Sequence, residues 1–230
     1  DSIYQYNSIR ELLLGHFDGG VPFSDLAHRG DMGIGTFEAL DGEMVAVDGQ
    51  FFQVTSDGAV KGVNPQQRAP FAAVKFFHPD KLLTLAGEGD FEAVKAFIDK
   101  HTDPHQAYAI RIRGRFESMR TRSVLRQKRP YPPLAKAGQN EFEARAVDGV
   151  AVGFRFPQET EGVQVPGYHL HFLSNDRSFG GHVLKLTGRD LVIELDASRK
   201  LALDLPPGVT GKAGLSEQQS KDLHRVESGK

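Results

Sequence analysis

Apolar positions begin at helical spacing and then give way to short alternating runs. Ile9, Leu12, Leu13 and Phe17 form a stripe that opens after Ser8-Ile9-Arg10-Glu11, a capping box, and stops at Gly19-Gly20. Residues 24–28 read as one more short turn of helix before Gly30. From Met32 the runs shorten and are punctuated by Asp41-Gly42, Asp48-Gly49 and Asp57-Gly58. Asp-Gly between such runs signals a hairpin, because both central residues of a type I′ turn need positive φ. The spacing predicts a meander with strands over 33–40, 43–47, 50–55 and 59–62, and another strand over 71–77. Asp90 then caps a predicted helix carrying Phe91, Val94, Phe97 and Ile98 at helical spacing. Tyr108, Ile110 and Ile112 alternate with Ala109, Arg111 and Arg113, predicting a strand that continues past Gly114 toward Arg120.

Residues 120–133 are basic and end in prolines, which reads as a solvated connection between two lobes. Beyond it the pattern is mostly β. Strands over 141–147 and 150–156 flank Asp148-Gly149 as a further predicted hairpin, and strands over 191–195 and 200–205 close the sheet region at Pro206-Pro207. Ser216-Glu217-Gln218-Gln219 resembles a capping box for a final helix carrying Leu223 and Val226. The expected class is therefore α/β of the α+β type, in two lobes. Residues 1–135 form a mixed sheet with helices, and residues 136–230 a β-barrel or strongly curved sheet with a terminal helix. The boundary lies near Pro130 to Gln139.

The chemistry concentrates in Gly167-Tyr168-His169-Leu170-His171-Phe172 and in Gly180-Gly181-His182. On a strand His169 and His171 share one face and Tyr168, Leu170 and Phe172 the other. Same-face neighbours stand roughly 6.6 Å apart at about 3.3 Å per residue, so imidazoles leaning together can share an ion at about 2.0–2.1 Å each. The turn formers of 174–181 and the apolar run after them predict an antiparallel return that brings His182 beside His171. Three nitrogen donors without a fourth histidine nearby suit a catalytic metal site with open positions better than a closed structural one. Histidines on the solvent face of a strand are the alternative.

Composition narrows the donors further. The 230 residues contain no cysteine, which removes disulfides, thiol nucleophiles and thiolate metal sites and leaves histidine and carboxylate as ligands. A net charge of -2 gives no electrostatic reason to expect nucleic acid or an acidic membrane as partner. No apolar run approaches the roughly 20 residues of a spanning helix. The sequence opens at Asp1 with neither an initiator methionine nor a signal-like segment, so a removed leader and a trimmed sequence both fit, and the compartment stays open between cytoplasm and secretion.

Gly33-Ile34-Gly35-Thr36-Phe37 with Leu40-Asp41-Gly42-Glu43, then Phe116-Glu117-Ser118-Met119-Arg120-Thr121-Arg122, then the histidine motifs and finally Val226-Glu227-Ser228 resemble the acetolactate decarboxylase family. The resemblance covers essentially the whole chain. It implies a zinc-dependent lyase that converts 2-acetolactate to acetoin and carbon dioxide through an enediolate protonated by a glutamate, and it implies a homodimer. Carried over residue by residue, it implies that His169, His171 and His182 bind Zn2+, that Arg120 is the family's arginine, that Glu43 and Glu227 are its two active-site glutamates, and that Thr36 lies near the substrate. A cupin-like metal-dependent oxygenase or isomerase is the rival. Its carboxylate a few residues after His-x-His has no counterpart, because Ser174-Asn175-Asp176 stands there.

Overall fold

The computed structural model describes residues 2–209 and 214–228. In chain order the strands of the first sheets are β1 (Ile3–Tyr6), β2 (Val21–Pro22), β3 (Met32–Thr36), β4 (Glu43–Val47), β5 (Gln50–Val54), β6 (Val60–Gly62), β7 (Arg68–Ala69) and β8 (Ala72–Lys75). Longer strands follow: β9 (Lys81–Asp90), β10 (Ala107–Val124), β11 (Gln139–Phe156), β12 (Gly167–Ser174) and β13 (Gly180–Ser198), then the short β14 (Leu201–Asp204). The helices are α1 (Ile9–Leu13), α2 (Phe23–Ala27), α3 (Phe91–Asp99) and α4 (Glu217–Ser228). No helix among the described residues is long and apolar enough to cross a membrane.

Helix starts follow their caps. Ser8 Oγ accepts from the Glu11 amide at 3.3 Å and Asp90 Oδ1 from the Ala93 amide at 2.8 Å, satisfying amides that the first turn leaves unpaired. At α4 the box is reciprocal, Gln219 N to Ser216 Oγ at 3.2 Å and Ser216 N to Gln219 Oε1 at 2.8 Å. Between β4 and β5, Asp48 and Gly49 both have positive φ, 48° and 76°, as the two-residue turn requires.

Two other Asp-Gly pairs behave differently. Ahead of Asp41-Gly42 the chain makes a short 3-10 turn, Glu38–Leu40, so that positive φ falls at Ala39, Leu40 and Gly42 while Asp41 stays at -78°. Asp148-Gly149 lies inside the continuous β11 and makes no turn, with Gly149 opposite Gly114 on β10 and Ser174 on β12. A Cβ on Gly149 would stand 2.3 Å from the Phe172 ring and 2.6 Å from the Leu173 carbonyl oxygen, so the glycine admits a crossing side chain.

β14, β1, β8, β3, β4, β5 and β6 form one seven-stranded sheet, parallel only at β1 and β14. β10, β11, β12 and β13 pair in a ring, because β10 bonds both β11 and β13 while β12 bonds the same two from the other side. β9 completes that second sheet along the far part of β13. The sheets thus part the chain between Lys75 and Lys81, not near residue 135, and β14 returns to the first sheet. β9 went unread because its inward positions are Leu83, Leu85, Gly87 and Gly89, half of them glycine, while Leu82 faces out, and β10 runs on to Val124, burying Thr121, Arg122 and Ser123 of the segment expected to be solvated.

The ring is filled by Ile110, Ile112, Phe116, Leu170, Phe172, Leu186 and Ile193, with Val94 and Ile98 of α3 closing it. Val150, Val152, Phe154 and Phe156 on the outside of β11 pack against Ile34, Val45, Val54 and Ala73 of the first sheet. His169 and His171 lie opposite Phe154 and Val152 on β11, so they face the first sheet while Leu170 and Phe172 fill the ring.

Candidate active site

Register assembles the site. Cα partners run from His171 on β12 to His182 on β13 and from His182 to Arg122 on β10, which sets three functional side chains in one row across adjacent strands. His169 stands two residues along β12 on the same face. Gly181, with φ 125°, lets the start of β13 approach β10 closely, since a Cβ would meet the Arg122 carbonyl oxygen at 2.5 Å.

The three imidazoles are buried, with ring centroids 4.9 to 5.4 Å apart. Each offers a ring nitrogen, and these nitrogens all lie within 4.8 Å of one another. His171 Nδ1 is 2.7 Å from the Met44 carbonyl oxygen, an acceptor only, so Nδ1 carries the proton and Nε2 keeps its lone pair. By the same reasoning His182 Nε2–H donates to the Glu227 carbonyl oxygen at 3.0 Å and its Nδ1 is the basic nitrogen. His171 Nε2, His182 Nδ1 and His169 Nδ1 are buried without a hydrogen-bond partner. Buried nitrogens of this kind are costly, and a metal ion would satisfy all three at once. The donor set therefore fits a metal, held by three histidines with the outer nitrogens of two of them fixed by backbone carbonyls.

Two carboxyls and one guanidinium surround the histidines. Glu43, the first residue of β4, receives a hydrogen bond from Arg122 Nη1 at 2.6 Å, and its Oε2 lies 3.5 Å from His171 Nε2. Glu227, in the last turn of α4, has Oε1 3.9 Å from Arg122 Nη2 and Oε2 3.5 Å from His169 Nε2. Burial pushes both glutamates up to about 7 against the opposing pull of Arg122, and Glu43 is raised further by Glu227. Burial holds His169 down to about 3, with Arg122 adding to the effect, and holds His171 and His182 well below the ordinary histidine value. All three are therefore neutral, as ligation requires.

Arg120 does not belong to this group. Its side chain is 44% exposed and pairs with Glu141, whereas that of Arg122 is 4% exposed between Glu43 and Glu227. The two arginines are two residues apart and share the outer face of β10. The first sheet and α4 cover that face at Arg122, while solvent meets it at Arg120. Both arginines belong to one motif, so the signal was present but the depth of cover was not. Thr36 lines the cavity beside Glu43, its hydroxyl donating to the Gly42 carbonyl oxygen at 2.7 Å. A cavity of about 30 Å³ separates these groups from an apolar wall of Ile9, Leu12, Leu40, Phe71, Val124 and Leu134, none of which sequence reasoning placed here. The Met44 carbonyl was missed as well, since a backbone acceptor leaves no residue-type signal.

The family model for alpha-acetolactate decarboxylase matches residues 3–211. The chain belongs to the alpha-acetolactate decarboxylase family. The matched span includes Thr36, Glu43, Arg122 and the three histidines and stops short of Glu227. The alpha-acetolactate decarboxylases of Methylococcus capsulatus and Methanosarcina mazei are 40% and 41% identical, over 98% and 99% of this chain and 88% and 80% of theirs. The crystal structure of the alpha-acetolactate decarboxylase of Bacillus subtilis strain 168 superposes with a TM-score of 0.94 at 34% identity, covering 100% of both chains. Membership replaces the cupin rival and accounts for the site as that of a decarboxylating lyase.

Proposed function

We propose that the chain converts 2-acetolactate to acetoin and carbon dioxide, with zinc as the ion held by His169, His171 and His182. The observation that carries the reading is the buried guanidinium of Arg122, set between two carboxyls and beside three metal-competent imidazoles. When bound, zinc supplies Lewis acidity worth several kcal/mol of charge stabilisation in the transition state.

The remaining work falls to side chains. Arg122 takes the arginine role that the resemblance put on Arg120, facing the substrate carboxylate and aligning the breaking bond with the neighbouring ketone. As the carbon–carbon bond breaks, its electron pair moves into that ketone to give an enediolate and free carbon dioxide. A proton then goes to the carbon that bore the carboxylate. Glu227 is assigned this delivery, because its carboxyl is buried beside His169 with Oε2 without a hydrogen-bond partner, so that oxygen is the one placed to hand a proton to the substrate. Glu43, bonded to Arg122, holds the guanidinium in place. Thr36 orders the loop at Gly42 beside the substrate. The homodimer implied by the resemblance belongs to the same reading and is checked by sedimentation.

Racemic acetolactate supplied to zinc-loaded protein should yield acetoin and an equal amount of carbon dioxide. A zinc-loaded, folded protein that leaves acetolactate at its spontaneous rate of breakdown refutes the reading.

A further inference from the structure

The groups of the site are closed off from solvent. Arg122, Glu43 and the three histidines expose between 1% and 9% of their side chains, and Glu227 12%. The cavity beside them, about 30 Å³, holds on the order of one or two waters. That is roughly a tenth of the ~300 Å³ at the small end of ligand sites. A substrate of acetolactate's size enters only if a wall moves.

The walls differ in how firmly they are held. His169 and His171 sit on β12, Arg122 and Val124 on β10, and Thr36 and Glu43 on β3 and β4; each of these strands is paired on both sides, with His171, Arg122 and Glu43 themselves in register with both neighbours. α4 joins no ladder. Its Leu223 is buried against a cluster that includes Ile9, Leu12 and Leu134, with Val226 packed on the same cluster. Ser220 Oγ donates to Glu161 Oε1 at 2.7 Å, and the Glu227 carbonyl accepts from His182. The pairs of Lys221 with Glu217, Arg225 with Asp222 and Gln218 with Asp222 stay within the helix.

We infer that α4 is a lid, opening as a unit to admit substrate and carrying Glu227 back into the site when it closes. Leu223 and the Ser220–Glu161 bond are its latch and act as positioning residues. The inference rests on the decarboxylase reading only for the choice of substrate. Glu227 adds contacts to Arg122 at 3.9 Å and His169 at 3.5 Å. An element that docks by one apolar patch and side-chain contacts, with no ladder, belongs to the low-stability end of a fold, where active-site covers are drawn from.

The absence of cysteine makes a clean test available. In protein carrying Ser220→Cys and Glu161→Cys, a short bismaleimide ties α4 down through the only thiols present. Acetoin formation should fall about ten-fold or more relative to each single variant treated with the same reagent, with zinc content unchanged and melting temperature not lowered. On unmodified zinc-loaded protein, amide hydrogen exchange over 217–228 should run at least about ten-fold faster than over 182–195 of β13. Bridged protein that turns over like the single variants, or α4 amides as slow as those of β13, overturns the lid. If unbridged protein makes no acetoin, the decarboxylase reading fails by itself and the exchange comparison still decides the lid.

Discussion

Replacing Arg122 by lysine separates its charge from its geometry. The guanidinium gives one short bond to Glu43, at 2.6 Å, and turns its other end toward Glu227 at 3.9 Å. A lysine ammonium keeps a positive charge near both carboxyls but cannot present two ends of a planar fork. Losing the two-ended grip that aligns the departing carboxylate misplaces the breaking bond, which costs about 10²-fold in kcat, or about 2.7 kcal/mol. The fold should lose little, because the charge that opposes burial at Glu43 and Glu227 remains. Arg122→Gln removes that charge and drives both carboxyls above their present value of about 7.

A carboxyl whose pKa rises on folding contributes stability below its unfolded value, near 4.5, and loses it as pH rises through the folded value. In metal-free native protein the loss runs from about pH 4.5 to 7, on the order of 3 kcal/mol for each glutamate. In metal-free Arg122→Gln it should continue to higher pH, so the variant falls further below the native protein at pH 8 than at pH 6. Acetoin formation at matched zinc content, with denaturant melts at the two pH values, measures both effects. Arg120→Lys is the control and should be silent, since Arg120 is exposed and paired with Glu141. Near-native kcat in Arg122→Lys, or a large loss in Arg120→Lys, refutes the assignment of the role to Arg122.

His171→Ala removes one of three nitrogen donors and should cost most of the bound zinc and the activity, read by elemental analysis after dialysis, while the fold survives. Zinc binding at pH 6 should release up to about two protons, because Glu43 and Glu227 are protonated there while the histidines are already neutral, and release should fade by pH 8. Calorimetry in buffers of different ionisation enthalpy counts those protons, and a count independent of pH contradicts the carboxyl values. Gly149→Ala should destabilise by about 1–3 kcal/mol, since its Cβ would meet the Phe172 ring at 2.3 Å in the filled ring of strands. A thermal melt within a degree of native would show that Phe172 is free to shift.

Local rules decided much of this protein from sequence alone. Ser8, Asp90 and Ser216 start helices because a short side-chain oxygen can reach an amide two or three residues on, whatever the rest of the chain does. Asp48-Gly49 turns and His169 and His171 share a face for equally local reasons of backbone conformation and strand alternation. The return of His182 beside His171 followed from a short hairpin, which keeps partners close in sequence. Tertiary structure decided the rest. Asp148-Gly149 runs straight because β10 pairs with both residues and β12 with Gly149 from the other side, and Phe172, from another strand, fills the space a Cβ would take. Arg122 rather than Arg120 enters the site because cover by the first sheet and α4 ends between two side chains on one face of β10, and no local pattern records where a distant sheet stops. Glu227 joins Glu43 only because Leu223 docks α4 against α1, and the raised pKa of both glutamates exists only once that docking has removed water from around them.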